Sequence, residues 1–349
     1  MAEDFSGILQ SHARRWPLMQ PQDFAKLAYQ SEFGPGHMVD DPAGTLQRLL
    51  QEWRGLAALP PCPPEAIGGG LCRFHLTGEY DPALAAPLVA RLFARTAAET
   101  AGTFRGLNRR LELLEGLQLP GMGPWLKGYR AAGCPAVHHS DQFRSAYAPH
   151  YRVLGRSCAR FFPALAAVQA LAQAGAPAVV AVDGRCGSGK SGLADLLGQL
   201  FDCSVFHMDD FYLPPEQRLP DWQQQPAGNM DLRRFLAEVL LPACRGEAVR
   251  CRPYNCQSGA FGPERLALPH RLTVVEGSYS LHPLLAPHYS LRLFLTCAPA
   301  EQARRLRRRE GGYYDRFEKV WIPLEERYLR ACSPADGAMT IDTTTFFDD

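Results

Sequence analysis

The octapeptide Gly184-Arg185-Cys186-Gly187-Ser188-Gly189-Lys190-Ser191 follows the apolar run Ala178-Val179-Val180-Ala181-Val182 and precedes Leu193, Leu196, Leu197 and Leu200 at helical spacing. A buried strand that runs into a glycine-rich turn and then into an amphipathic helix leaves few folds open. The turn's backbone N–H groups and the helix N-terminus converge on one point, where they attract anionic oxygens. In that setting G-x-x-x-x-G-K-S predicts a nucleoside triphosphate held at Gly184, Gly187, Ser188, Gly189 and Lys190. Lys190 reaches the β and γ phosphates, and Ser191 holds Mg²⁺ through its hydroxyl. A glycine-rich turn that binds nothing gives no reason for the strand before it and the helix after it.

From Pro177 onward, apolar runs alternate with helical patterns, the signature of an α/β fold with a parallel sheet flanked by helices. The runs are Ala178 to Val182, Cys203 to His207, Leu272 to Val275, Leu291 to Leu295 and Ala338 to Ile341. Five such strands suit a P-loop kinase core. The first part reads differently. Asp23 caps a helix carrying Phe24, Leu27 and Ala28; Asp41-Pro42 and Asp81-Pro82 open two more; Leu107, Leu111 and Leu114 mark another stripe. The loops there are Pro- and Gly-rich, as at 59–64 and Gly68-Gly69-Gly70. A helix from Cys158 to Ala172, broken near Pro163, bridges to the second half. The chain of 349 residues thus divides into a mainly α domain over 1–155 and an α/β domain over 156–349.

A net charge of +1 argues against a nucleic-acid surface as the main function. No stretch has the length of a membrane span or the pattern of a secretory leader, so the reading is a cytoplasmic protein without a membrane role. The eleven cysteines are odd in number, scattered and without C-x-x-C pairs, which favours reduced thiols.

In such sheets ligands sit beyond the carboxyl ends of the strands. The second run ends in His207-Met208-Asp209-Asp210-Phe211-Tyr212 and the third in Val275-Glu276-Gly277. Acidic groups near a triphosphate repel it unless Mg²⁺ intervenes, so Asp209, Asp210 and Glu276 imply the metal; the other reading is a helix cap or solvated turn for Asp209 and Asp210 and a strand-end surface residue for Glu276. After the fourth run, Arg304, Arg305, Arg307, Arg308 and Arg309 precede Gly311-Gly312. Arginines on one helix face above a glycine hinge close over phosphates and offset charge developing in transfer. Helical spacing lets only two or three face one ligand, and Arg305, Arg308 and Arg309 are the choice; a solvated basic face is the alternative.

These segments, with Trp321-Ile322-Pro323-Leu324-Glu325-Glu326-Arg327-Tyr328, resemble the uridine kinase and phosphoribulokinase-like group of P-loop kinases over about 156–349. The resemblance implies an ATP- and Mg²⁺-dependent transfer to a hydroxyl of a nucleoside-like small molecule. By that similarity Asp209 accepts the hydroxyl proton, Tyr212 lines the acceptor pocket, and Glu276, Ser191 and Asp209 surround Mg²⁺. Asp231 resembles a ribose-binding aspartate, with the N-cap of the helix bearing Phe235, Leu236 and Val239 as its competing role. Tyr254 stacks on a ring. Two family features are missing: Asp231-Leu232-Arg233 stands where Asp-His-Pro is usual, and no histidine follows Tyr254-Asn255. Pantothenate-like and sugar acceptors stay open for that reason, as does a nucleotide-sensing module with little turnover. No Asn-Lys-x-Asp guanine-reading segment occurs.

Cys186 sits inside the phosphate loop, where N–H groups and Lys190 lower a thiol's pKa; otherwise it is a small residue that fits a tight turn. In the first domain, Tyr29-Gln30-Ser31-Glu32-Phe33-Gly34-Pro35-Gly36-His37 and His138-His139-Ser140-Asp141 either line a pocket or stop and cap helices. That domain resembles no family, and recognition of an acceptor, regulation, assembly into a homo-oligomer and a second activity are all open to it.

Overall fold

Helix starts in the first half follow local chemistry. Asp81 accepts the Ala83 N–H at 2.9 Å, Thr103 accepts the Gly106 N–H at 3.0 Å, and Ser140 accepts the Phe143 N–H at 3.1 Å. The computed structural model describes residues 4–39, 42–56, 59–117 and 119–346, so Asp41 lies outside the described residues. The chain forms two compact units, Met1–Phe162 and Pro163–Phe347.

The first unit contains α1 (Phe5–Arg15), α2 (Pro21–Phe33), α3 (Pro42–Arg54), α4 (Pro82–Glu99), α5 (Phe104–Glu115), α6 (Met122–Ala131) and α7 (Asp141–Tyr147). The expected stripes are buried: Phe24, Leu27 and Ala28 of α2 share one cluster with Leu107, Leu111 and Leu114 of α5. Asp23 is not the cap of α2. It sits in the first turn, where its carboxylate accepts the Gln20 N–H at 2.9 Å. The half is mainly α, as expected, and also carries a three-stranded antiparallel sheet that the sequence reading did not include: β1 (Glu65–Gly68), β2 (Leu71–His75) and β3 (Tyr151–Gly155), in that order. Gly69 and Gly70 form the two-residue turn between β1 and β2, with φ of +65° and +69°. Positive φ at both positions matches the twist of a hairpin. A Cβ on Gly69 would also lie 2.4 Å from the Ser31 carbonyl oxygen. The division between the units falls after α8 (Arg156–Arg160), which packs on β2 and β3. The bridging helix breaks at Phe161, and α9 (Phe162–Ala174) takes Pro163 in its first turn, where no backbone N–H is needed.

The second unit begins with β4 (Ala178–Gly184), α10 (Lys190–Leu200) and β5 (Cys203–His207). The segment α11 (Leu232–Phe235) continues through a π-helical turn, Leu236–Leu240, into α12 (Leu241–Cys244). Then β6 (Val249–Cys251), β7 (Tyr254–Asn255), β8 (Ala260–Phe261) and β9 (Arg265–Ala267) pair as nested hairpins, β6 with β9 and β7 with β8. β10 (Leu272–Glu276), β11 (Leu291–Thr296), α13 (Pro299–Glu310), α14 (Tyr314–Arg316), α15 (Ile322–Cys332) and β12 (Met339–Asp342) complete it.

The five apolar runs form one five-stranded parallel sheet, ordered β12, β11, β4, β10, β5, so the α/β fold read from the sequence is the fold adopted. β4 is central and buried along its whole length. Each of its valines contributes about 1.5–3 kcal/mol on burial, which fixes the strand that carries the phosphate loop. Among the described residues no helix is long and apolar enough to cross a membrane.

Candidate active site

The loop from Gly184 to Lys190 leaves the carboxyl end of the central strand. Gly184 has φ of +139°, and a Cβ there would lie 1.9 Å from the Leu295 carbonyl oxygen, so β11 admits only glycine. That carbonyl accepts the Arg185 N–H at 3.0 Å. Gly189, with φ of +95°, turns the chain into α10, whose N-terminus points its free N–H groups at the loop's hollow. Lys190 is buried, and its Nζ donates to the carbonyls of Gly184 (2.9 Å) and Arg185 (3.1 Å).

Two buried carboxylates brace the loop, and neither is foreseen as a support. Asp183 accepts the N–H groups of Gly184 (2.6 Å) and Leu281 (2.8 Å) and the hydroxyl of Tyr328 (2.6 Å). Glu325 accepts the Cys186 N–H and the Gln302 side-chain amide (2.9 Å). Burial pushes both carboxyls above their ordinary values, against the pull of these hydrogen bonds. The same burial, together with the Glu325 charge, pushes the Cys186 thiol up to about 12. Of the two readings of Cys186, this favours the small residue that fits a tight turn over the acidified thiol: desolvation outweighs Lys190.

Arg305 also differs from expectation. It is buried, and all five of its N–H donors are engaged. Nε bonds Glu301 (2.6 Å), one terminal nitrogen bonds the Gly187 carbonyl (3.1 Å) and the Thr343 hydroxyl (3.0 Å), and the other bonds the carbonyls of Thr343 (2.5 Å) and Thr344 (3.2 Å). The side chain reaches the cleft wall, yet its donors tie the loop to the segment after β12 instead of pointing at a ligand. Arg308 and Arg309 are exposed on the same helix and line the cleft; Arg309 also donates to Glu310 at 2.5 Å.

The cleft above the loop measures about 970 Å³. Its lining gathers Gly187, Gly189, Lys190, Ser191, Asp209, Tyr212, Glu276, Arg308 and Arg309. The Ser191 hydroxyl donates to Glu276 Oε1 at 3.1 Å, and Glu276 Oε2 pairs with His207 Nδ1 at 2.9 Å. Parallel register places Glu276 beside His207 at the ends of β10 and β5, so the pair is a product of the sheet. Burial alone raises the Glu276 carboxyl; the His207 hydrogen bond, the Lys190 charge and Ser191 outweigh it and hold it below the carboxylate range. The hydrogen bond to Glu276 raises His207 in turn. Among the described residues no three His, Cys, Asp or Glu side chains cluster around a metal position. A hydroxyl and one carboxylate facing a polar cleft nonetheless fit Mg²⁺, which keeps water and phosphate oxygens in most of its shell.

Asp209 and Asp210 separate. Asp209 is exposed to the cleft and accepts the Tyr212 hydroxyl at 3.0 Å, whereas Asp210 pairs with Arg265 at 3.1 Å. Asp231 caps α11, accepting the Arg234 N–H at 3.1 Å and pairing with its guanidinium at 3.2 Å. Tyr254 is buried with its ring 5.3 Å from Phe261. Neither residue is part of the cleft lining; the wall there is built by Arg218, Cys256, Gln257 and Trp321, which the sequence reading missed. Cys256 and Gln257 lie two and three residues past Tyr254, and the turn between β7 and β8 brings them back to the cleft.

No protein-family model matches the chain, and no curated protein matches it. Among solved structures, a possible uridine kinase from Bacillus stearothermophilus is 18% identical with a TM-score of 0.39, the match covering 48% of this chain and 89% of that one. A candidate fructose transport system kinase from Silicibacter sp. TM1040 is 19% identical with a TM-score of 0.35, covering 48% of this chain and 87% of that one.

Proposed function

We propose that the second unit transfers the γ-phosphoryl group of ATP, with Mg²⁺, to a hydroxyl of a small, nucleoside-like molecule. The observation that carries this reading is the meeting, in one cleft, of a phosphate loop, the Ser191–Glu276 pair, an exposed carboxylate on Asp209 and exposed arginines on α13. Lys190 and the loop N–H groups hold the phosphates. Ser191 and Glu276 would hold Mg²⁺, which neutralises phosphate charge when bound. Asp209, steadied by the Tyr212 hydroxyl, aligns the acceptor hydroxyl and takes its proton. Because the transition state is loose, positioning and charge stabilisation supply most of the acceleration. Arg308 and Arg309 offset the charge that builds on the transferred group.

A screen of nucleosides, sugars and pantothenate-like compounds for acceptor-dependent ADP formation tests the reading. One class should raise ADP release well above the ATPase background, and Asp209→Asn should lower that rate by about 10²-fold or more while ATP binding is unchanged. ATP binding without stimulation by any acceptor, or turnover unaffected by Asp209→Asn, would refute it and favour a nucleotide sensor.

A further inference from the structure

The two motifs of the first unit that the phosphotransfer reading leaves unused, around Gln30 and His139, converge on one interior network. His139 Nδ1 lies 2.8 Å from Asp23 Oδ1, and His139 Nε2 lies 2.7 Å from the Tyr151 hydroxyl, which is 3.3 Å from Gln30 Oε1. Gln30 Oε1 also accepts from Arg73 Nε (3.4 Å) and a terminal nitrogen (3.2 Å), and the guanidinium lies over the Tyr151 ring at 4.8 Å. This network holds one face of the small sheet. In the antiparallel register Glu65 stands opposite Arg73 and His75 opposite Tyr151, so alternation along the strands turns all four side chains to the same side.

That face borders a cavity of about 190 Å³, closed on its other side by Trp16, Phe143 and Tyr147. The rings of Trp16 and Tyr147 meet edge to face at 4.9 Å, and those of Trp16 and Phe143 at 5.9 Å. Glu65 is nearly buried, and its two oxygens differ. Oε1 accepts the Trp16 indole N–H at 2.6 Å, while among the described residues Oε2 has no hydrogen-bond partner, nor does His75 Nε2. Oε2 lies 3.9 Å from both Arg73 and His75 Nε2, too far for a hydrogen bond but close enough for one outside atom to bridge them. A buried carboxylate oxygen left unpaired is costly, and native interiors seldom leave it so without a reason. Burial lowers the His75 pKa to about 4, so at neutral pH its ring is uncharged and free to donate or accept. Glu65 therefore calls for a donor, Arg73 and His75 can answer an acceptor beside it, and the aromatic walls favour a flat body. With about 30 Å³ per water, the cavity has room for one small ring.

We propose that the first unit binds a compact, neutral, planar molecule whose edge carries an N–H donor next to a carbonyl acceptor, the cyclic amide or imide class. The edge meets Glu65 and the Arg73–His75 pair, and the ring lies against Trp16 and Tyr147. The Asp23–His139–Tyr151 chain positions this sheet face and does not itself touch the ligand's polar edge.

Calorimetry on the full chain with uracil as the imide probe tests this, with benzoate and benzamidine as planar controls that offer only acceptors or only donors. Uracil should bind in preference to both and slow alkylation of Cys62, which lines the same cavity. Cys62 protection, mapped by peptide mass, separates this site from the acceptor cleft of the second unit. Glu65→Gln should weaken uracil about tenfold or more, the range for losing a hydrogen bond to a charged group. Should Glu65→Gln fail to fold, Cys62→Phe, at a half-buried position in a loop, should abolish binding by filling the cavity. Absence of uracil binding, equal affinity in the folded variants, preference for either control, or binding without protection of Cys62 would overturn the proposal.

Discussion

Arg305→Ala separates two roles that its sequence position cannot. The side chain is buried and donates to one carboxylate, one hydroxyl and three backbone carbonyls, among them Gly187 in the phosphate loop. Truncation takes one donor from each of those carbonyls, the Thr343 carbonyl keeping the Phe346 N–H, and removes one arginine from Glu301, a loss of about 3–5 kcal/mol for a broken buried pair. For a unit of this size each kcal/mol shifts the melting temperature by about 2–4 °C. The transition of the second unit should therefore fall by roughly 6–20 °C. Arg305→Lys should recover only part of this, because an ammonium cannot serve a planar set of five acceptor contacts. Arg308→Ala provides the contrast: exposed, it should cost within about 0.5 kcal/mol of stability while lowering turnover. Calorimetric melting without nucleotide, with hydrogen exchange to assign each transition to its unit, gives the readout. An Arg305→Ala protein that melts within about 2 °C of the parent and loses only turnover would refute the bracing role and return Arg305 to the phosphates.

Glu276→Gln removes the carboxylate from the Ser191–Glu276–His207 line and should raise the Mg²⁺ concentration for half-maximal ADP formation about tenfold, read by metal titration; an unchanged midpoint would take Glu276 away from the metal. With its thiol pushed to about 12, Cys186 should react with iodoacetamide at pH 8 about a thousandfold more slowly than an ordinary thiol near 8.5, as measured by mass mapping after timed quenching. The first unit should weaken in mild acid. Burial holds both His75 and His139 at about 4 against 6.5, so the unfolded chain takes up their protons first as pH drops. Stability is complete above about pH 6.5, is lost as pH falls towards 4, and at pH 5 is down by about 2 kcal/mol per histidine. Hydrogen exchange in α2 and β2 at pH 7 and pH 5, corrected for intrinsic rates, checks the direction.

The sheet of the second unit was legible because each strand is a short continuous apolar run, which a parallel strand covered on both faces requires. The sheet of the first unit hid for the opposite reason. Arg73, His75 and Arg152 interrupt its strands with charge and polarity, and β3 pairs with β2 from about eighty residues away. Only the glycine turn at 69–70 was a local signal. In the site, the residues fixed by chain order were legible: the loop, and Asp209 and Glu276 at strand ends. Those decided by which way a side chain turns were not. Arg305 shares its helix face with Gln302 and Leu306, both buried, and that spacing assigns it to the interior before any ligand is considered. Asp231 shows the same competition settled at a helix start, where the nearby Arg234 N–H and guanidinium engage the carboxylate.

The supports under the glycine-rich loop are buried, whereas the wall proposed to face the acceptor is not. Asp183 is held by Tyr328 and Leu281, Glu325 holds Cys186 and Gln302, and Arg305 joins Gly187 to Thr343. The bonds at Gly184, Leu281, Cys186 and Gly187 fix backbone directly, and side-chain bonds hold the carboxylates and guanidinium that make them, so the loop's hollow is set by buried bonds. The proposed acceptor wall is formed instead by Tyr212, Arg218, Gln257 and Trp321, carried on loops and 3₁₀ or π turns outside the sheet. Substitution there changes a surface without straining the core. On the proposed function, phosphate binding and acceptor choice would rest on separate parts of the unit. On that proposal, the missing Asp-His-Pro step and histidine bear on which hydroxyl enters the cleft and leave the geometry at Lys190 and Ser191 intact.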